Sequence, residues 1–142
     1  MESKFNFKSA ICTSRVQSER LLALGLKKET ADMYWVNHSN LWMPVMLLHE
    51  DRPLDNNDTP AWSLGRLIEM LPSPIPISEY FPTFHHYAYL NLSQVSVDYS
   101  WEYYDGEERA LVGFCGNGFF AAVVDAIEWL IKEVRFNKEY LV

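Results

Sequence analysis

An α+β fold is predicted by three features of the 142-residue sequence. A long apolar helical stripe lies near its C-terminal end, a strand of strict period two precedes it, and shorter capped helical segments alternate with β-prone runs further upstream. The expected architecture is a single globular domain over residues 1–142. It would be a mostly antiparallel sheet of four or five strands with two or three helices packed on one face.

The first helix is expected at about residues 14 to 24, in TSRVQSERLLALGL. Ser14 and Gln17 form a capping box, Gly25 suits a left-handed stop, and Leu26 can fold back on Leu21 in a Schellman ending. MYWV and LWMPVMLL are two β-prone runs separated by the polar cluster Asn37, His38, Ser39 and Asn40, which reads as a hairpin loop. Pro44 places the second run at a sheet edge. Residues 49 to 60, HEDRPLDNNDTP, form a polar, turn-rich loop.

A second helix is expected in AWSLGRLIEMLP, where Leu64, Leu67, Ile68 and Leu71 share a face and Pro72 prevents continuation. Pro72, Pro74, Pro76 and Pro82 then make an extended connector. From Val95 onward, Val95, Val97, Tyr99, Trp101 and Tyr103 alternate with Ser96, Asp98, Ser100, Glu102 and Tyr104, as in a half-exposed antiparallel strand. HHYAYLNL is its expected hairpin partner. After an Asp105-Gly106 turn and the strand ALVGF, Asn117 is expected to cap the longest helix, FFAAVVDAIEWLIKEVRF. Phe120, Val123, Val124, Ile127, Leu130, Ile131 and Val134 make its main stripe. Trp129 lies off that stripe, in line with Ala122, Ala126 and Phe136. This second face fits either a helix sandwiched within its own domain or a partner surface around one aromatic anchor.

Apolar residues make up 49% of the chain and charged residues 22%, the composition of a packed globule. The 19 acidic and 12 basic residues give a net charge of −7, which disfavours nucleic acid and anionic membrane surfaces as partners. No run of about 18 apolar residues occurs and the first residues lack a signal-like core, so the expected location is cytoplasmic. Cys12 and Cys115 show no CxxC or Cys/His ligand spacing and read as thiols of a reducing compartment.

ETADMYWV, PAWSLGRLIEMLP and DAIEWLIKE resemble recurrent blocks of a group of small proteins from bacterial genomes, prophages and other mobile elements, a group with no known activity. CTSRVQSERLLALGL resembles the block that opens those proteins, and the resemblance spans most of the chain. It implies a context and supplies no catalytic position. The GFCGNG segment falls outside the blocks.

The residues themselves offer three candidate chemistries. Cys115 sits among Gly113, Gly116 and Gly118 before a helix start, where backbone amides could acidify a thiol; His85 or His86, oriented by Asp98 or Asp105, would complete a small thiol-dependent hydrolase. The same glycines match neither GxGxxG nor a Walker loop, so turning from strand to helix is their simpler role. His49, Glu50, Asp51, Asp55 and Asp58 place five potential ligands in one loop, but not in calcium-binding order, and a solvated acidic loop is the simpler reading. No metal or other cofactor is expected. The aromatic complement, 15% of the chain, favours binding over turnover. The expectation is therefore a noncatalytic accessory or interaction protein, engaging a protein partner or a second copy through Trp101, Tyr103, Tyr104 and Trp129.

Overall fold

The structure, a computed structural model, describes residues 10–38, 40–46, 58–76, 87–93, 96–102 and 108–142. Its first helix, α1 (Arg15–Ala23), begins at the capping box: the Ser14 side chain accepts from the Gln17 N–H while the Gln17 side chain accepts from the Ser14 N–H. It ends in a full Schellman motif. Gly25 N–H donates to Leu22 O (3.0 Å) and Leu26 N–H to Leu21 O (3.1 Å), with Gly25 at φ +100° and both leucines buried.

Strands β1 (Met33–His38) and β2 (Leu41–Met46) pair antiparallel from Met33↔Met46 to His38↔Leu41. β1 is longer than the expected run, taking in Asn37 and His38, which leaves two positions between the strands, while β2 covers the expected run as far as Met46. Asn40, at φ +66°, adopts the left-handed conformation that asparagine tolerates. Pro44 does lie on an edge strand: the order of this sheet is β2-β1-β3, where β3 (Thr59–Ala61) pairs with β1. Thr59 and Pro60, expected in a loop, are strand residues because β1 offers them an open edge. Residues 49–57 of that loop lie outside the described residues.

Helix α2 (Leu64–Met70) is capped by the Ser63 side chain, which accepts from the Arg66 N–H. Leu67 and Met70 are its buried residues. Part of the proline-rich connector is strand as well: β4 (Ile75–Pro76) pairs with β5 (Tyr87–Leu92), and Ile75 is buried. The apolar Ile75 side chain supplies the reason, since it docks against Ala88 rather than facing water. Strands β6 (Val97–Glu102) and β7 (Glu108–Phe114) complete a four-stranded antiparallel sheet ordered β4-β5-β6-β7. The register of β6 with β7 shifts between Tyr99 and Ser100, leaving Leu111 as the extra residue of a bulge.

Helix α3 (Phe119–Lys132) follows β7. Its N-cap is Gly118 at φ +100°, with no side-chain cap bond, so the expected Asn117 cap does not form. The helix also stops earlier than expected. Val134 N–H donates to Ile131 O and Arg135 N–H to Leu130 O, a Schellman ending that turns the chain before Phe136 and leaves Val134 73% exposed, off the core stripe. Val123, Val124, Ile127 and Leu130 of the stripe are fully buried.

One core cluster draws on α1, α2, α3, β4, β5 and β6, with Leu21, Trp62, Leu67, Ile75, Tyr99 and Leu130 all fully buried. Each such side chain contributes about 1.5–3 kcal/mol relative to exposure. Helix α3 packs on β6 and β7 with one flank and against α1 and α2 with others. The fold is therefore α+β, with two antiparallel sheets instead of one. A smaller cluster of Cys12, Met33 and Ala61, flanked by Trp35, lies under the three-stranded sheet.

The two Schellman endings make opposite predictions. A Cβ on Gly25 would meet nothing within 4 Å, so Gly25→Ala isolates the backbone cost of its positive φ; the variant should lose about 1 kcal/mol in chemical denaturation. Val134 holds φ +57°, a conformation that opposes β-branched residues. Val134→Gly should gain about 0.5–1 kcal/mol in the same measurement.

Candidate functional site: the outer face of the four-stranded sheet

The expected aromatic surface is divided by the fold. Trp101 lies on the same side of β6 as Val97 and Tyr99, and it is part-buried against the main core. Trp129 is likewise part-buried, its ring centroid 6.4 Å from that of Tyr99 and 6.1 Å from that of Phe114. Ala122 and Ala126 are fully buried and Phe136 is 5% exposed. The second face of α3 is thus occupied within the fold, with Trp129 lying against β6 and β7. Tyr103 and Tyr104 lie outside the described residues.

Among the described residues, the exposed aromatic rings are those of Tyr87 and Tyr89, 46% and 55% exposed, on β5. The period of two accounts for them. Ala88 is fully buried and Leu90 packs against the core, so the intervening tyrosines point to the opposite side. Tyr89 pairs across the sheet with Ser100, and Ser100 with Ala110; in the neighbouring row Asn91 pairs with Asp98, and Asp98 with Gly113. Tall rings on one strand thus border a floor of small residues on the next two.

A hydrogen-bond chain fixes the polar part of this face. The Asn91 amide donates to Ser100 Oγ and, at 3.5 Å, to Asp98 Oδ2, while Ser100 Oγ–H donates to Glu108 Oε1 at 2.6 Å. Ser100 is 6% exposed, so its satisfied hydroxyl also anchors the row. A carboxylate has about four acceptor sites, and the single Ser100 bond leaves most of those on Glu108 turned outward. Arg109 pairs with Trp101 on the core-facing side of the strands. Among the described residues, the outer face carries Asp98 and Glu108 and no basic side chain.

Of the side chains proposed for chemistry, Cys115, Asp98 and Asp58 are among the described residues. Cys115 is exposed, just beyond β7. A Cβ on the adjacent Gly116 would lie 2.9 Å from Ala121 Cβ, which makes that glycine a requirement of the strand-to-helix turn. His85, His86 and Asp105 lie outside the described residues, as do His49, Glu50, Asp51 and Asp55. No group of three or more His, Cys, Asp or Glu side chains among the described residues could hold a metal ion. No described helix is long and apolar enough to cross a membrane. Cys12 is buried, and burial, reinforced by the Asp32 carboxylate, pushes its thiol up to about 11.

A second exposed strip, Leu41, Met43 and Val45, lies on one face of the edge strand β2. Pro44 has no N–H, so its pair with Trp35 is of the non-hydrogen-bonded type and its nitrogen faces the free edge. That edge lacks a central donor for strand addition.

No protein-family model matches the sequence, and no curated protein or solved structure is detectably similar to it.

Two expectations follow for the thiols. A thiol reagent at neutral pH should modify Cys115 in the native protein and reach Cys12 only after denaturation, which a count of titrated thiols with and without denaturant checks. Because folding raises the Cys12 pKa above its reference value of 9.0, its contribution to stability is complete below that pH and declines as pH rises toward 11. Thermal melting should therefore fall above pH 9, and less steeply in Cys12→Ala.

Proposed function

We propose that the chain is a noncatalytic accessory or interaction protein of a prophage or other mobile element, acting in the cytoplasm and binding a protein partner through the outer face of its four-stranded sheet. The observation that carries this reading is the pair of half-exposed tyrosines, Tyr87 and Tyr89, beside the ordered Asn91–Ser100–Glu108 chain. Tyrosine supplies large contact area at low conformational cost, and a pre-ordered polar rim reduces the entropy lost on docking. Such a face is open. A small molecule needs a concave site that encloses most of its surface, whereas a flat sheet face suits a macromolecule. The net charge of −7 weighs against nucleic acid. Two free cysteines suit a reducing compartment, and the resemblance to small proteins of mobile elements supplies the setting.

The test is an affinity capture from host lysate with the native protein and a Tyr87→Ala, Tyr89→Ala double variant as parallel baits. A partner retained by the native bait and lost by the double variant is the expected result. Both rings are about half-exposed, so the variant should melt within about 2–4 °C of the parent. Identical captures by the two baits would count against this face.

A further inference from the structure

We infer that the partner presents arginine or lysine side chains to the outer sheet face, so that the recognised element is a basic protein segment; this rests on the reading of that face as the binding surface. The argument is charge complementarity. Tyr87 and Tyr89 are about half-exposed, and the negative quadrupole of an aromatic ring attracts cations to its face. Asp98 and Glu108 lie one and two strands away, and no described basic side chain on this face competes for them. Two strand spacings cover about 10 Å, the scale on which a guanidinium stacked over Tyr89 can pass its N–H groups toward the carboxylates. Ala110 and Gly113, small and exposed on β7, leave room for the stem of such a side chain.

The hydrogen-bond chain adds direction. Asn91 spends both amide protons on Asp98 and Ser100, and Ser100 spends its own on Glu108, so the protons of this network are already committed inward. What this network leaves facing solvent is acceptor capacity, beside the Tyr87 and Tyr89 hydroxyls, which both donate and accept. The face is thus matched to a partner rich in donors and positive charge. An acidic segment would meet like charge and find no donor in the network.

Fluorescence anisotropy with three labelled peptides tests this: one of alternating arginine and glycine, one of alternating glutamate and glycine, one of alternating leucine and serine. The arginine peptide should bind the intact protein, more weakly as salt rises. Tyr89→Ala and Glu108→Gln should each weaken it about two- to fivefold. Glu139→Gln, in the exposed turn at Lys138–Tyr140, removes the same charge elsewhere and should leave binding unchanged. Melting curves identify any variant with a folding defect, and Tyr89→Phe, which keeps the ring, should bind like the parent. No binding of the arginine peptide, or equal weakening by Glu139→Gln, overturns the inference. Preferential binding of the glutamate or leucine peptide with loss in Tyr89→Ala also overturns it, while leaving the sheet face as the binding surface. Partner capture that ignores both tyrosine substitutions removes the surface reading itself.

Discussion

Trp62 is the side chain on which the arrangement of the layers depends. It is fully buried between the end of β3 and the start of α2, and its backbone exchanges two hydrogen bonds with Thr13: Thr13 N–H to Trp62 O at 2.9 Å and Trp62 N–H to Thr13 Oγ1 at 3.1 Å. Thr13 Oγ1 also shares a 2.7 Å bond with Ser18, and Thr13 O accepts from the Trp35 indole. The Trp62 indole N–H reaches Thr30 Oγ1 at 2.9 Å, and Ser63 N–H donates to Asp32 at 2.8 Å. One tryptophan thereby ties α1, the turn before β1, the three-stranded sheet and α2 together. A buried polar group left without its partner costs about 1–3 kcal/mol, so the members of this network hold one another in place.

Helix α3 is the second organising element, because both of its flanks are used. The face of Trp129, in line with Ala122 and Ala126, turns to the sheet beside Tyr99 and Phe114, the branched Val123, Val124, Ile127 and Leu130 are fully buried, and α1 also lies against the helix. Above that contact Arg20 pairs with Asp125 at 2.9 Å and with Glu128, and Lys132 reaches Glu128 at 3.0 Å. Hydrogen bonds from Arg20 and then Lys132 hold the Glu128 carboxyl below its ordinary pKa. These side chains are partly exposed, and screened pairs of this kind contribute about 0–1 kcal/mol each. They set the register of α1 on α3 more than its strength. Tyr99, buried on the sheet side, donates its hydroxyl to Pro72 O at 2.7 Å and joins β6 to the segment leaving α2.

The functional reading follows from the same division of faces. Among the described residues, the aromatics that serve the core, Trp62, Tyr99, Trp101 and Trp129, are taken up by packing, and the exposed ones, Tyr87 and Tyr89, share a strand. Around them the polar network is ordered before any partner arrives, and its exposed atoms are acceptors. The other apolar strip, on β2, sits beside an edge that Pro44 disables for strand pairing. The two exposed surfaces therefore differ in kind: one is aromatic and acidic, the other aliphatic.

Local chemistry made much of this fold legible. The Ser14–Gln17 box, the Gly25–Leu26 stop, the Pro44 edge and the apolar stripe of α3 depend on contacts within a few residues or on a proline's missing donor, and they stand in the structure as the sequence suggests. The short strands Thr59–Ala61 and Ile75–Pro76 were not legible, because each exists only where a distant strand offers an edge. The stop at Val134 was hidden for a similar reason: nothing in a valine signals a left-handed residue, and burial of Phe136 turns the chain there. The binding face shows the same split. Alternation in YAYLNL implies that tyrosines and small apolar residues occupy opposite sides, but period two cannot say which side meets water. That choice belongs to the four-stranded sheet and α3, which cover Ala88 and leave Tyr87 and Tyr89 outside, because exposure is a property of layers packed together and not of any one strand.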